Sequence, residues 1–467
     1  MINSLLHFNT IKEISNLIKT KQLSPVEITT SLLQRIDDID SNLMSYATVT
    51  ADSALDDARK AEKEIYSGNY KGPLHGIPIA VKDLCYTKGV PTMGGSRVHS
   101  KFIPDFDSTV ISKLAQSGAV MLGKLNLTEG AMRGYHPDFL IPKNPWNKDV
   151  WVGTSSSGSG VATAAGLCYG SLGSDTGGSI RFPSSACGVV GLKPTYGRVS
   201  RYGILPLSET LDHVGPLARS SFDAGIILQA ISGEDVNDQT SLSAPPPDMK
   251  NIEGSIKNIK IGWNESYSTK NVRPEIVRAL NGVIEVMENL GAEIIEVDLP
   301  DIDPYLEHWE IICSSEAFMA HSSNYPLRMN EYGDFFREWL AKGSKVTPDE
   351  YVKATIGRNS CNEIFRKALV DVDVLICPTM TDVPFQVSEE SLYGDASENN
   401  PPISFRRYTI PFDYNGAPTI TLPCGFSSDG LPLSFQFVGK HLSESLLCQV
   451  GNSYEFATDW HKIHPNM

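Results

Sequence analysis

The chain has 467 residues, of which 41% are hydrophobic and 20% are charged, a composition typical of a globular protein with a large core. The formal net charge of −15 disfavours nucleic acid as a partner, because phosphate binding needs a basic surface. The amino terminus has charges every few residues, and no run of about 18 apolar residues occurs anywhere. The sequence therefore predicts no signal peptide, no membrane partner and a cytoplasmic protein.

Two helix start signals stand far apart in the chain. Ser24 is followed by Pro25 and Glu27, so an N-cap, a proline in the first turn and a capping-box glutamate predict a helix to about Asp40. The sequence TPDE at residues 347–350 repeats this signal and predicts a second helix.

Short apolar segments alternate with helical patterns between these two signals. IKIGW from Ile259 and AEIIEVDL from Ala292 are predicted strands, and RPEIVRALNGVIEVMENLG between them is a predicted helix. This alternation favours an α/β protein with a large sheet covered by helices on both faces. Length alone suggests about three domains of roughly 150 residues, but no linker divides the chain.

Two segments read as irregular. SLSAPPPDMKNIEGSIKN, around Pro245 to Pro247, is a predicted exposed crossover, and Thr381 to Arg407 is a predicted long acidic loop. A loop longer than about 15 residues in a compact domain is usually functional or disordered. The second segment is therefore a candidate lid over a site.

The cysteines form no CxxC pair and no CxxC…H spacing, which argues against a zinc site or a disulfide framework. They are predicted to be buried thiols in a reducing compartment. The eight residues are Cys85, Cys168, Cys187, Cys313, Cys361, Cys377, Cys424 and Cys448.

Two segments rich in serine and glycine lie within small apolar sequence. Residues 153–160 read GTSSSGSG, and residues 173–183 read GSDTGGSIRFP. Gly177 and Gly178 directly before Ser179 allow successive N–H groups to converge on one point, which suits a developing oxyanion. A phosphate-binding turn or a purely structural glycine turn is the alternative interpretation.

Lys82 follows the apolar run HGIPIAV and precedes Asp83. A lysine with the ordinary pKa of about 10.4 cannot act as a base at neutral pH, but burial lowers that pKa by penalising the charged form. A buried, neutral Lys82 would accept a proton. In the alternative interpretation, Lys82 extends its ammonium group to solvent or pairs with Asp83.

Two other motif classes, a phosphate loop and a Ser-His-Asp hydrolase, match the sequence less well. Residues 118–125, GAVMLGKL, match a phosphate loop except that Leu125 cannot supply the hydroxyl that holds magnesium. There is no GxSxG elbow, which weakens a Ser-His-Asp mechanism without excluding it. His75, His99 and His136 are predicted to be structural or to line a pocket.

The two serine segments, with GPLHGIPIAVKDL upstream, resemble the amidase signature family. The similarity extends from LSPVEITTSLLQRI near the amino terminus to APTITLPCGF and GLPLSFQFVGK near the end. The resemblance implies a single α/β/α domain over residues 1–467, with Ser179 as nucleophile, Ser155 as relay and Lys82 as base, and no metal or organic cofactor. It also implies an oxyanion hole formed by the backbone N–H groups of Thr176, Gly177, Gly178 and Ser179.

In this family the relay serine follows a cis peptide bond, which here is the Thr154-Ser155 bond. Family members usually have glycine at the positions of Thr154 and Ser157. The chain therefore departs from the family pattern on both sides of the relay serine.

The resemblance leaves three function classes in competition. They are a stand-alone amide hydrolase that also accepts esters or carbamates, the glutaminase subunit of a tRNA-dependent amidotransferase, and a degenerate member. The glutaminase pattern places an aspartate for the glutamine α-amino group where this chain has Arg406, and retention of all three triad residue types disfavours a degenerate member. A stand-alone amidase for linear C–N bonds other than peptide bonds is therefore expected.

The segment TEGAMRGYHPDF occupies the place where family members line the acyl pocket. Met132, Tyr135 and Phe139 predict an apolar or aromatic acyl group, and core packing is the alternative explanation for them. Arg133 is equally well explained as a solvated charge, whereas Arg406 is a candidate for recognising the substrate. The expected partner is a small-molecule amide, and a homodimer is a candidate assembly.

Overall fold

A mixed sheet of 11 strands runs through the molecule in the computed structural model, which describes residues 6–300, 302–393 and 403–467. Its spatial order is β1-β3-β2-β4-β6-β5-β10-β11-β9-β7-β8. The strands are β1 (Tyr46–Val49), β2 (Pro78–Lys82), β3 (Val120–Leu125), β4 (Gly170–Asp175), β5 (Val190–Lys193), β6 (His213–Ala218), β7 (Lys260–Trp263), β8 (Glu293–Glu296), β9 (Val374–Pro378), β10 (Thr419–Phe426) and β11 (Pro432–Gly439).

Parallel and antiparallel pairs both contribute to the sheet. Strand β2 is parallel to β3 and β4, and β7 is parallel to β8 and β9. The other neighbours are antiparallel, including the long pair of β10 and β11, in which Ile420 faces Phe437. The last two strands in sequence therefore lie inside the sheet, between β5 and β9.

The described residues form 15 α-helices and six 3-10 helices. The α-helices are α1 (Ile11–Lys19), α2 (Pro25–Leu43), α3 (Ala51–Tyr66), α4 (Thr109–Ser117), α5 (Ser157–Ala164), α6 (Arg181–Cys187), α7 (Ser221–Ile231), α8 (Glu265–Thr269), α9 (Pro274–Asn289), α10 (Pro304–Ala320), α11 (Asp334–Gly343), α12 (Pro348–Ala368), α13 (Glu389–Tyr393), α14 (Ile410–Tyr414) and α15 (Glu444–Ala457). The 3-10 helices are Leu6–Phe8, Arg97–His99, Glu129–Ala131, Met329–Glu331, Ile403–Arg406 and Trp460–Lys462.

Both predicted capping boxes are confirmed. The Ser24 hydroxyl accepts hydrogen bonds from the N–H groups of Val26 and Glu27, and the Glu27 carboxylate accepts one from the Ser24 N–H. Thr347 and Glu350 make the same reciprocal pair at the start of α12. These contacts satisfy donors that the first helical turn leaves without an intrahelical acceptor.

The predicted α/β arrangement is confirmed. Strands β7 and β8 and helix α9 form where the sequence predicted them. Every residue of β2, β4, β6, β9 and β11 is buried, so both faces of the sheet are covered, as apolar strands with helical connections require. Strand β8 ends the sheet, and its first and last residues are exposed.

The first predicted segment is irregular, as expected, since residues 233–259 contain neither helix nor strand, but it is not exposed throughout, because Met249, Ile252 and Ile256 are buried. The second is more ordered than predicted. Helix α13 and a 3-10 helix lie within it, and Gln386 forms an isolated bridge with Val150. Residues 394–402, which the predicted lid includes, lie outside the described residues.

All eight cysteines are buried and unpaired, as predicted. In the described ranges, no helix has the length and apolarity needed to cross a bilayer. The same residues contain no group of three or more His, Cys, Asp and Glu side chains placed to hold a metal ion.

Candidate active site

Lys82 ends strand β2 and is completely buried among serine hydroxyls. Its Nζ donates to the Oγ atoms of Ser155 at 2.6 Å, Ser174 at 2.8 Å and Ser156 at 3.0 Å. Burial lowers the pKa of Lys82 to about 7, against the opposing charges of Asp175 and Asp212. The alternative pairing with Asp83 is wrong, because the Asp83 carboxylate binds Lys124 at 2.9 Å.

Ser155 lies just before helix α5, in the first serine and glycine segment. The Thr154-Ser155 peptide bond is cis, as the resemblance implied. The Ser155 carbonyl accepts a hydrogen bond from the Thr128 N–H at 3.3 Å, and the Ser156 N–H donates to the Ser179 carbonyl at 3.3 Å. The structure therefore joins the two serine segments through their backbones.

Ser179 lies in the turn between β4 and α6 and is 8% exposed. Two close approaches explain the glycines before it. A Cβ at Gly177 would lie 2.5 Å from the Trp309 ring, and Gly178 combines a φ of +125° with a virtual Cβ 2.5 Å from the Phe182 ring. Only glycine fits both positions without displacing these rings.

The N–H groups of this turn are not equivalent. Gly178 donates to the Asp175 carboxylate at 2.6 Å, so its N–H is occupied, contrary to the sequence prediction that it faces the substrate. The N–H groups of Thr176, Gly177 and Ser179 have no acceptor within the part of the chain that the structure describes. The Ser179 hydroxyl likewise has no hydrogen-bond partner there, and its Oγ is solvent-accessible.

Two distant side chains fix the orientation of the turn. Trp309 donates from Nε1 to the Thr176 carbonyl at 2.6 Å, and Thr409 donates from Oγ1 to the Gly177 carbonyl at 2.8 Å. In a trans peptide the carbonyl and the following N–H point in opposite directions. Anchoring the Thr176 carbonyl therefore directs the Gly177 N–H away from Trp309.

A buried charge cluster supports the same turn. Arg181 contacts Asp175 through two hydrogen bonds of 2.9 and 3.0 Å and also binds Asp413. Burial alone would raise the pKa of Asp175, but the Arg181 guanidinium holds it well below its usual value. Asp175 is therefore ionised, and its carboxylate also accepts from Ile180 N–H at 2.9 Å.

The predicted pocket residues differ in their burial and in their contacts. Met132 and Tyr135 are buried, and Met132 belongs to the main apolar core. Phe139 is half-buried, and its ring packs edge-on against His136 at 5.9 Å. Arg406 places its guanidinium 5.5 Å from the Trp309 ring centroid, which brings it next to the Gly177 turn.

Sequence reasoning missed several positioning residues. Ser156 and Ser174 lie inside the two serine segments, so the sequence could have identified them as possible contacts of Lys82. Trp309, Thr409 and Asp413 come from helices or turns more than a hundred residues away, and no local pattern marks them.

The three histidines singled out in the sequence are not part of this site. His75 is bound to Glu64 at 3.0 Å, His99 packs on Phe102 and His321, and His136 lies near Asp138. In the phosphate-loop candidate, Lys124 is buried in β3 and also donates to Thr92 at 2.8 Å. Lys124 and the three histidines therefore make their own contacts away from the Lys82, Ser155 and Ser179 cluster.

Known proteins resemble this chain along most of its length. A model of the amidase family matches residues 27–448. The chain is 40% identical over 455 residues, covering 97% of its own length and 95% of the relative, to the protein named "Putative amidase AmiD" of Mycobacterium tuberculosis. It is 38% identical over 488 residues, covering 98% and 99% of the two chains, to a glutamyl-tRNA(Gln) amidotransferase subunit from Rippkaea orientalis.

Among solved structures, a peptide amidase in complex with the competitive inhibitor chymostatin has a TM-score of 0.84 and 28% sequence identity. The match covers 98% of this chain and 99% of that one. With a family model that spans most of the sequence and relatives similar along their full length, the chain belongs to the amidase signature family.

Proposed function

We propose that this amidohydrolase works alone, as one catalytic domain over residues 1–467, and cleaves carboxylic amides through an acyl-enzyme. Ser179 is the nucleophile, Ser155 the relay and Lys82 the base. The bonds cleaved are linear C–N bonds other than peptide bonds, and esters and carbamates are further substrates because their acylation chemistry is the same.

The observation that carries this proposal is the environment of Lys82. Its Nζ is buried, lies 2.6 Å from the Ser155 Oγ and has a pKa near 7. A lysine in this state is substantially neutral at physiological pH and accepts a proton. The hydrogen bond from the Ser156 N–H to the Ser179 carbonyl, at 3.3 Å, supports a nucleophile close to this relay.

In the acylation step, the Ser179 Oγ attacks the amide carbonyl carbon. The hydroxyl proton of Ser179 passes to Ser155, whose own proton passes to Lys82. The carbonyl oxygen becomes an oxyanion, and the N–H groups of Thr176, Gly177 and Ser179 stabilise it. Three donors rather than the four predicted are used, since Asp175 occupies the Gly178 N–H.

In the second half of the step, Lys82 returns the proton through Ser155 to the leaving nitrogen. Protonation of that nitrogen is the difficult part of amide cleavage, because an amide anion is a very poor leaving group. Water then attacks the acyl-enzyme with the same relay as its base, which releases the acid and restores Ser179.

The substrate-binding residues are proposed from where they lie relative to Ser155 and the turn before Ser179. Arg406 lies beside the Gly177 turn through Trp309, which supports a direct role in recognition. Met132 is connected to Ser155 through Thr128, whose hydroxyl donates to the Met132 carbonyl and whose N–H donates to the Ser155 carbonyl. Tyr135 and Phe139 are proposed to line the more distant part of the acyl pocket.

The alternative function is the glutaminase subunit of a tRNA-dependent amidotransferase, which the relative from Rippkaea orientalis favours. Arg406 argues against it, since a guanidinium repels the α-amino group of glutamine. For unit charges about 4 Å apart this repulsion is roughly 1 to 4 kcal/mol. Glutamine turnover that appears only with an added amidotransferase partner would support the alternative.

Labelling with a fluorophosphonate tests the proposed nucleophile. We expect the probe to modify Ser179, and we expect Ser179→Ala to lose both labelling and amide hydrolysis, with a fall in rate on the order of 10⁴ to 10⁶. Activity should be measured on aryl amides, aliphatic amides, carbamates and glutamine.

Ser184→Ala is a matched control for this experiment. Its buried hydroxyl donates to the Ile180 carbonyl at 2.8 Å, close to Ser179 but outside the proposed relay. Labelling and turnover should survive in this variant. Amide hydrolysis by Ser179→Ala within tenfold of the unmodified protein would exclude the proposed triad.

A further inference from the structure

Arg406 lies beside the turn that precedes Ser179, although the two are distant in sequence. Its guanidinium stacks 5.5 Å from the centroid of the Trp309 ring. The same indole binds the Thr176 carbonyl at 2.6 Å and occupies the space over Gly177. One aromatic ring therefore contacts both a cation and the turn of the proposed oxyanion site.

A second arginine adds to this charge. Arg133 follows β3 and places its guanidinium 5.5 Å from the centroid of the Phe335 ring. Burial, and after it the charge of Arg133, lower the pKa of Arg406 to about 10. The two cations are therefore close enough to repel each other, and Arg406 is still protonated at neutral pH.

Among the described residues, no acid forms an ion pair with Arg406. Glu310 acts electrostatically on both arginines, but its carboxylate is bound by the Lys342 ammonium at 2.7 Å. Within the described residues, the Arg406 guanidinium forms no hydrogen bond and no ion pair, and its contact is the Trp309 ring. Arg406 is half-buried, so its guanidinium is partly desolvated and is available to a ligand that supplies an acceptor.

We infer that Arg406 binds a carboxylate of the substrate, so that the preferred substrates are amides that carry a second, anionic carboxyl group. This inference rests on the proposed function of Ser179. A guanidinium binds a carboxylate through two parallel hydrogen bonds in its own plane. Its flat face remains available for the Trp309 ring, which fixes the plane of the group.

The test compares carboxylate-bearing amides with neutral amides. Succinamate, glutaramate and adipamate are assayed against neutral alkyl amides of matching length. We expect the unmodified protein to prefer the carboxylates, and Arg406→Gln to lower this preference, measured as a ratio of kcat/KM values, by about 10- to 100-fold.

Arg407→Gln is the matched control. Arg407 is the next residue in the chain, and its guanidinium packs instead on the rings of Tyr267 and Tyr408 at 5.5 and 5.6 Å. The preference ratio should be preserved in this variant. An unchanged ratio in Arg406→Gln, or hydrolysis of neutral amides without any preference for carboxylates, would overturn the inference and leave the proposed function intact.

A binding measurement separates the two proposals. Glutarate should raise the melting temperature of the unmodified protein and of Arg407→Gln, but not that of Arg406→Gln, since a ligand stabilises the folded state that binds it. Stabilisation in this pattern supports the carboxylate site whether or not an amide is hydrolysed. Absence of hydrolysis of every amide tested would overturn only the proposed function. Equal stabilisation of all three proteins overturns the site.

Discussion

Lys82 differs from an ordinary lysine because burial moves its pKa to about 7. Since the proposed base must be neutral, kcat/KM for an amide should rise with pH through about 7 and level off above it. Lys82→Met should abolish this rise and most amide turnover. Ester cleavage should suffer less, because an ester leaving group needs less protonation. Initial rates on matched ester and amide substrates across the pH range measure both effects.

Lys193 provides the control at the residue scale. Burial also lowers the pKa of Lys193 to about 7, but its ammonium donates to the Pro194 carbonyl at 3.0 Å rather than to a serine. The pH-dependent rise should therefore persist in Lys193→Met. Equal losses on ester and amide in Lys82→Met would show that Lys82 is structural.

At the scale of elements, the turn from β4 into α6 depends on the Asp175 and Arg181 pair. Asp175→Asn removes a charge partner of a buried guanidinium and weakens the acceptor for the Gly178 N–H. Breaking a buried pair in this way typically costs about 3 to 5 kcal/mol. Urea unfolding should show this loss, and kcat should fall with it because the turn carries Ser179.

A solvent-exposed ion pair serves as the control for the buried Asp175 and Arg181 pair. Asp56 and Arg59 lie on α3 at 2.8 Å, with side chains 76% and 61% exposed. Solvent screens such pairs, so Asp56→Asn should change the unfolding free energy by less than about 1 kcal/mol. Similar losses in both variants would mean that the Asp175 pair does not support the turn.

The junction of α15 and α7 should make stability depend on pH. Glu455 accepts hydrogen bonds from the Ser221 N–H and hydroxyl, and burial raises the pKa of Glu455 to about 8. Between an unfolded pKa of about 4.5 and 8, the folded state keeps a proton that the unfolded chain releases. The unfolding free energy should therefore fall as pH rises, by up to about 1.4 kcal/mol per pH unit from this group.

Glu455→Gln should remove this contribution, so its unfolding free energy should fall less steeply than that of the unmodified protein between pH 5 and 8. Ser221→Ala removes a hydroxyl that favours the ionised carboxylate, so it should extend the fall to higher pH. Parallel pH profiles for Glu455→Gln and the unmodified protein would refute this account. Urea unfolding at a series of pH values measures all three.

At the scale of the whole molecule, the core encloses every thiol. Burial raises the pKa of Cys187 and Cys424 well above the usual value, and all eight cysteines are buried. A thiolate-specific reagent should therefore modify none in the native protein and eight after denaturation. Rapid modification of any cysteine under native conditions would contradict the described packing.

The sequence predicted what is local or carried by a contiguous motif. The Ser24 cap, the strands around Ile259 and Ala292 and the serine segments have short signals that the folded chain preserves. The partner of Asp83 and the acceptor of the Gly178 N–H could not be predicted, because both depend on competition between side chains in three dimensions. Arg406 was identified by its position in a motif, but its stacking on Trp309 requires α10 to pack there.

During synthesis on a ribosome, β10 and β11 emerge last, at residues 419–439, yet they belong in the middle of the sheet. Until they arrive, β1 to β6 and β7 to β9 are two unfinished half-sheets, with β5 and β9 as open edges. Open edges pair readily with other chains, and late pairing of distant strands is slow. The nascent protein is thus prone to aggregation until β10 and β11 have joined the sheet, and chains that terminate before Thr419 should accumulate as insoluble material.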